Sequence, residues 1–333
     1  MSQNIPISVL NRRIFEDLEQ GNVKRAADAG SGYTRLQLRE DSFAFKILPP
    51  EQATDDMLVP SLEHDKPQIY WEIEPDSPGA MWVPFQSVPK GEYIQGSRYV
   101  IPLARVFTRK YTKDLDELRT FKTDLRKILT TNAIKDGLAT IDGTFINLVN
   151  DIVTTTCTIG GGGAITPDAV GTPGNPQAFT GKVQWREFTG GLTRDNLAEA
   201  KKMLPEGSLF DGMGDKFHLR NYVALMNDIT AQEMLKWDRN EAGGDLSMEM
   251  LKDGVTLDKV MGIKVIYTIK SQLVPTGTVY FFAEPDFLGK CFYLTDWTMF
   301  MKKEAWMIEM FAYWLGGMAF GNVAGVARAD FKA

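Results

Sequence analysis

The chain has 333 residues, 44% of them hydrophobic and 24% charged, with a net charge of -6. That balance marks a soluble globular protein able to bury a substantial core, as one large domain or two ordinary ones. The acidic sign argues against a protein that grips nucleic acid through its whole surface. Only Cys157 and Cys291 carry thiols, too few for a disulfide framework, and the N-terminus lacks the basic-then-apolar layout of a signal peptide.

Residues 1–66 are highly charged and carry no domain-sized core. Ser8 is a good helix cap and Gly21 a good stop, with Leu10, Ile14 and Leu18 on one face between them. The remainder, through "DAGSGYTRLQLREDSFAFKILPPEQATDD", reads as an arm that needs something else to lie on. From residue 67 to about 111, "PQIYWEIE" and "SRYVIPLARVFTRKY" have the β-branched and aromatic content of strands. Between them, Pro84 and Pro89 join Pro102 in breaking any central ladder, so the segment is an edge ribbon or a long loop. Such a ribbon is marginal alone, and Trp71, Met81, Trp82 and Phe85 need a surface to cover them.

From Asp114 to about Val153, apolar residues recur at Leu115, Leu118, Phe121, Leu125 and Ile128. They resume at Leu138, Ile141, Phe145, Leu148 and Ile152, the three-then-four spacing of one helix face. Such a helix would be about 60 Å long at about 1.5 Å per residue. Gly137 and Gly143 are its weak points, where it would bend or divide into two helices in series. "TIGGGGAITPDAVGTPGNPQAFTG", Thr158 to Gly181, has no periodicity and reads as a long loop. "TRDNLAEAKKML" is a short helix capped by Thr193, and "NYVALMNDITAQEMLKW" also looks helical. "MGIKVIYTI", "TGTVYFFA" and "KCFYLTD" are strand-like, and "WTMFMKKEAWMIEMFAYW" reads as strands turning at Lys302–Glu304.

Several motifs suggest chemistry and then fail on their own terms. The glycines at 160–163 are followed by Ala164, Ile165 and Thr166, with no lysine to reach a phosphate, and they follow a helix instead of a strand. "DRNEAGGDLSME" places Asp238, Asn240, Gly243 and Glu249 at four positions of a calcium loop, but Ala242 stands where an oxygen ligand belongs. His64 and His218 sit in no metal-ligand or nucleophile spacing. Nothing selects a catalytic pair, a metal or a cofactor.

"MFAYWLGGMAFGNVAGVA", Met310 to Ala327, carries no charge and is long enough for a membrane span, with Gly317, Gly321 and Gly325 at the spacing of docked membrane helices. Asn322 and the glycines make it a poor insulated helix, no basic cluster flanks it on the C-terminal side beyond Arg328 and Lys332, and buried strands followed by a Gly-rich turn explain the composition without a membrane. The reading is therefore a protein without a membrane anchor. An arm and a ribbon without cores, a very long helix and a long loop together describe a chain completed by its neighbours.

The order of these parts resembles the major capsid protein of a tailed bacteriophage. The resemblance is carried by "SRYVIPLARVFTRKYTKDLDELRTF", "AIKDGLATIDGTFINLVND", "LDKVMGIKVIYTI" and the C-terminal strands, across most of residues 60–333. It implies an α+β fold with an N-terminal arm (1–66), an extended β-hairpin loop (67–108), a peripheral domain with a spine helix (109–153 and 291–322) and an axial domain (154–290 and 323–333). It further implies hexamers and pentamers closing an icosahedral shell around double-stranded DNA, without sequence-specific contact. A separate scaffolding protein, a portal and a decoration protein would be partners. The location would be the virion capsid, with assembly in the host bacterial cytoplasm. Lys90 stands where some relatives carry a cross-linking lysine, though a solvated turn explains it better. Bending at Gly137 or Gly143 would fit one chain to both kinds of ring. Rival readings are an encapsulin-like compartment shell and an enzyme with an unrecognised carboxylate site.

Overall fold

A computed structural model describes residues 42–61, 65–73, 82, 85, 88, 97–114, 125–154, 157–159, 163–165, 185–204, 221–237, 259–304, 306–321 and 325–332. In chain order they form helix α1 (Phe43–Ile47) and strands β1 (Pro50–Gln52), β2 (Leu58–Pro60), β3 (Pro67–Ile73), β4 (Ser97–Pro102), β5 (Ala104–Phe107) and β6 (Tyr111–Asp114). The long helix α2 (Leu125–Thr154) precedes β7 (Cys157–Ile159), β8 (Gly163–Ile165), β9 (Trp185–Thr189) and α3 (Arg194–Lys201). Then come β10 (Val223–Asn227), α4 (Asp228–Ala231), β11 (Lys259–Val260), β12 (Ile263–Thr268), β13 (Thr278–Phe282) and α5 (Pro285–Leu288). Two long strands, β14 (Gly289–Glu304) and β15 (Met307–Phe320), and β16 (Val326–Lys332) complete the order. The chain divides into two compact units: residues 1–69, 101–144 and 291–318, and residues 70–100, 145–290 and 319–333.

The first unit is built on a sheet of order β1-β14-β15-β5, with β6 also pairing β15. β15 alternates because one of its faces is covered: Ile308, Ala312 and Trp314 are buried while Phe311 and Tyr313 are half-exposed. Segment 42–53, read from sequence as part of an uncovered arm, is packed inside this unit. Phe43, Ala44, Phe45, Ile47 and Leu48 are all buried, Phe45 lies 6.2 Å from the Trp314 ring, and β1 runs parallel to β14 with Glu51 opposite Phe292. Asp142 of α2 is fully buried and accepts from Ser42 Oγ at 2.7 Å and from the Ala44 amide at 3.2 Å.

The second unit centres on a six-stranded mixed sheet, β11-β12-β10-β13-β16-β9. β10 and β13 are buried at every residue, as befits central strands covered on both faces. One face carries a core of Leu197, Ala200, Met234, Trp237, Val279, Phe281 and Phe331, with α3 and α4 supplying part of it. On the other, the Phe145 ring of α2 lies 5.5 Å from both Phe282 and Phe320. Beside it, Asn150 Oδ1 accepts from the Tyr280 hydroxyl and from Arg328, whose guanidinium lies over the Trp185 and Tyr280 rings. Asp330 gathers Trp185 Nε1, Thr278 Oγ1 and Arg328 Nε within 2.8–3.0 Å. Every charge in this partly buried network has a partner, as desolvation requires.

Several elements differ from the sequence expectation, each for a physical reason. The long helix is unbroken across Gly137 and Gly143, so one helix is observed and not two in series. Its expected start at Asp114 is overturned: Asp114 belongs to β6, opposite Met307, because β15 offers it a ladder. Residues 115–124 lie outside the described residues. "VALMN" is a strand and not a helix; β12 and β13 flank it, and their pairing overrides the helical look of the sequence. The helical tendency survives only from Asn227, whose side chain accepts from the Ile229 amide to start α4. The long loop from Thr158 begins instead as a hairpin, Cys157–Ile159 with Gly163–Ile165, and residues 166–184 lie outside the described residues. The expected helix from Ser8 to Gly21 lies outside them too.

The described part of the uncharged C-terminal run is mostly β-structure. β15 continues through Gly316–Gly317 to Phe320, and β16 follows, while no described helix is long and apolar enough to cross a membrane. The turn between β14 and β15 falls just after Glu304, about two residues later than expected. The glycines serve close approach. A Cβ on Gly317 would lie 2.1 Å from Pro102 O, and one on Gly316 would lie 2.5 Å from Phe292 O and 2.3 Å from the Trp314 ring. A spacing of four is even, so residues four apart share a strand face as readily as a helix face.

Candidate assembly surface

The first unit carries a row of aromatic rings on the outer face of its sheet. Phe300 of β14 lies 5.0 Å from Phe311 of β15, Phe311 lies 6.4 Å from Tyr313, and Phe107 of β5 lies 6.3 and 6.1 Å from those two. The row follows from register: Phe107 is directly opposite Tyr313, and alternate residues of one strand share a face. It is incompletely covered, since Phe107 is 56% and Phe300 44% exposed. Trp306 and Met307, where β14 returns as β15, are exposed as well. Among the described residues no strand pairs the outer edge of β5, and a recess of about 610 Å³ is lined by Asp65, Lys66, Leu103, Arg105 and Leu315.

The second unit exposes apolar side chains of its own. Trp82, Phe85 and Val88 stand almost fully in solvent, and Ile229 and Ile269 are exposed just beyond the paired ends of β10 and β12. Trp71, by contrast, is half-buried with the Lys290 ammonium 5.9 Å from its ring. The need for cover inferred from sequence thus persists for Trp82 and Phe85, whereas Met81 lies outside the described residues. A single exposed leucine would mean little, but exposed Trp and Phe side chains point to a surface that acquires a partner.

Titration is perturbed at a few groups. Burial raises Tyr280 above the ordinary phenol value, opposed by the Arg328 charge. Burial, and then the hydrogen bond to Asp136, raises Tyr111. Burial pushes the Cys291 thiol up to about 12. The exposed pair Lys302 and Glu304 shift apart, up and down, through their mutual hydrogen bond. Among the described residues no group of three or more His, Cys, Asp or Glu side chains is placed to hold a metal ion. His64, His218, Lys90, the calcium-loop positions Asp238, Asn240, Gly243 and Glu249, and Gly160–Gly162 lie outside the described residues; Gly163 opens β8. Sequence reasoning missed Asp142. Its signal was there: one carboxyl residue between Ile141 and Phe145, on a face otherwise apolar.

No family model matches the sequence, and no curated protein matches it. Solved structures do match. A chain of Microbacterium phage Oxtober96 aligns with a TM-score of 0.56 at 12% identity, covering 88% of this chain and 91% of that one. The asymmetric unit of the bacteriophage PhiM1 mature capsid aligns with a TM-score of 0.54 at 9% identity, covering 87% of each. The capsid of a native GTA particle aligns with a TM-score of 0.54 at 13% identity, covering 86% and 89%. At such identities the likeness speaks for the fold, and it extends nearly end to end in both partners. The chain has the fold of tailed-phage capsid proteins.

Proposed function

We propose that this chain is a structural major capsid protein whose copies assemble as hexamers and pentamers into an icosahedral shell enclosing double-stranded DNA. The observation that carries the reading is the likeness in fold to capsid chains over nearly nine-tenths of this chain. The uncovered apolar side chains support it. Burying Trp82 and Phe85 against a neighbour would remove about 200 Å² each from water, worth up to about 5 kcal/mol apiece before the costs of association.

In this reading residues 1–66 are the arm, of which 42–53 pack within the first unit, 67–108 the extended loop, 109–153 with 291–322 the peripheral domain, and 154–290 with 323–333 the axial domain. The protein acts as a wall, not as an enzyme, and its net charge of -6 suits contact with packaged DNA that is weak and non-specific. Scaffolding, portal and decoration proteins are the expected partners, with assembly in the bacterial cytoplasm and residence in the virion. Negative-stain electron microscopy of the purified protein, over a range of concentrations and without detergent, is the test. Closed shells, or rings of five and six, are expected. A uniformly small monomer that never assembles, even with crowding agent, would overturn the proposal.

A further inference from the structure

Segment 42–53 has an unusual construction. Five of its first seven side chains, Phe43, Ala44, Phe45, Ile47 and Leu48, are buried apolar groups, yet its opening residue is fastened by a polar clasp. Ser42 Oγ accepts from the Phe45 amide, capping α1, and donates to Asp142 Oδ1, which also accepts from the Ala44 amide. Ser42 and Asp142 are both fully buried. At the other end, β1 pairs with β14 through only three residues, Pro50 to Gln52, and the Ala53 amide donates to Tyr293 O at 2.8 Å. Among the described residues β1 is the last strand on its side of the sheet. The whole segment can therefore lift away without breaking any other described ladder.

We infer that residues 42–53 form a strap that opens and closes as one piece, and that Asp142 is the positioning residue that latches it to the long helix. A buried donor that loses its acceptor carries the full desolvation penalty. The closed strap therefore depends on Asp142 more than an exposed helix cap would. Once the clasp is gone, α1 loses both its cap and its anchor. The apolar side chains and the three-residue edge strand then have no rigid start from which to dock. The inference needs only the first unit's packing and is independent of whether the protein builds a shell.

Hydrogen exchange on the full-length protein tests it, with the amides of Ala44, Leu48, Ala53 and Thr108 as reporters. Leu48 donates to Ala44 O one helical turn on from the clasp, Ala53 donates to Tyr293 O at the far end of the strap, and Thr108 donates to Ala312 O outside it. Asp142→Ala is expected to speed exchange at Ala44, Leu48 and Ala53 by a common factor of at least about ten, leaving Thr108 unchanged. Ser42→Ala is expected to act in the same direction but less. Asp142→Asn, which keeps an oxygen acceptor, is expected to recover part of the protection. Acceleration confined to Ala44, no acceleration, or equal acceleration at Thr108 would each overturn the strap. If Asp142→Ala does not fold, Ser42→Ala decides on the same criteria.

Discussion

Gly317→Ala isolates the reason the uncharged C-terminal run is rich in glycine. In the native geometry an added Cβ would lie 2.1 Å from Pro102 O, 3.0 Å from Pro102 C and 3.4 Å from Ile101 Cγ2. An ordinary carbon–oxygen contact is about 3.3 Å, so a backbone carbonyl would have to retreat by about 1.2 Å. That is about a quarter of the spacing between neighbouring strands. Overpacking of this kind costs about 1–3 kcal/mol, and the upper end applies because the atoms met are main chain and cannot swing aside. Replacing glycine in a strand returns about 0.5–1 kcal/mol through the unfolded chain. The net expectation is a loss of about 2 kcal/mol, read as a lower urea midpoint at unchanged slope on the unassembled subunit. Gly190→Ala provides the contrast, since nothing lies within 4 Å of its added Cβ and only its φ of +90° opposes the change. A Gly317→Ala protein within about 0.5 kcal/mol of the parent would refute the close-approach argument.

Other consequences can be checked as directly. Gly262 and Gly277 share a φ of +82°, but only Gly277 would drive its Cβ to 2.6 Å from Phe331 O. Gly262→Ala should therefore cost about 1 kcal/mol and Gly277→Ala about 3 kcal/mol in urea unfolding, and equal losses would mean that contact adds nothing to φ. The double variant Trp82→Ala, Phe85→Ala should leave subunit stability within about 0.5 kcal/mol, because neither ring is covered in the chain, while raising the concentration needed for assembly at least about tenfold by light scattering. Unchanged assembly would remove those rings from the interface. Cys291, at about 12 in the folded chain against the ordinary 9.0, stays protonated where the unfolded thiol ionises. Its contribution to stability is thus complete below pH 9 and lost as pH rises from 9 to 12. The parent's urea midpoint should fall faster above pH 9 than that of Cys291→Ala, and parallel curves would contradict the burial.

Sequence pattern exposed some of this and concealed the rest for identifiable reasons. The α2 stripe was legible because Leu138, Ile141 and Phe145 repeat at helical spacing and are all buried. α3 was legible because Thr193 is a chemically explicit cap, and its hydroxyl accepts from Asn196 at 3.2 Å. "VALMN" was not, since four apolar residues before an asparagine fit a buried strand or one turn of buried helix, and only the ladders from β12 and β13 decide. "SFAFKI" was not either. Its apolar residues are too few to suggest a core, and their cover comes from Trp314 and from an aspartate a hundred positions away. Long-range pairing of that kind leaves no local trace.

The surface suggested by Trp82 and Phe85 was legible for the opposite reason: large apolar residues crowded among prolines and glycines have no local partner to bury against, whatever the fold. That argument predicts which side chains seek a neighbour without naming the neighbour. The row of Phe107, Phe300, Phe311 and Tyr313 is its converse. Each residue sits in a strand and looks internal in sequence, and only the register that brings Phe107 opposite Tyr313 places it on an uncovered face. Among the described residues, two sets of apolar groups, one including Trp82 and Phe85 and one borne on the sheet, thus keep exposed rings. Rings of identical subunits can cover both without any further protein, because a head-to-tail contact presents one patch of each copy to a different patch of the next.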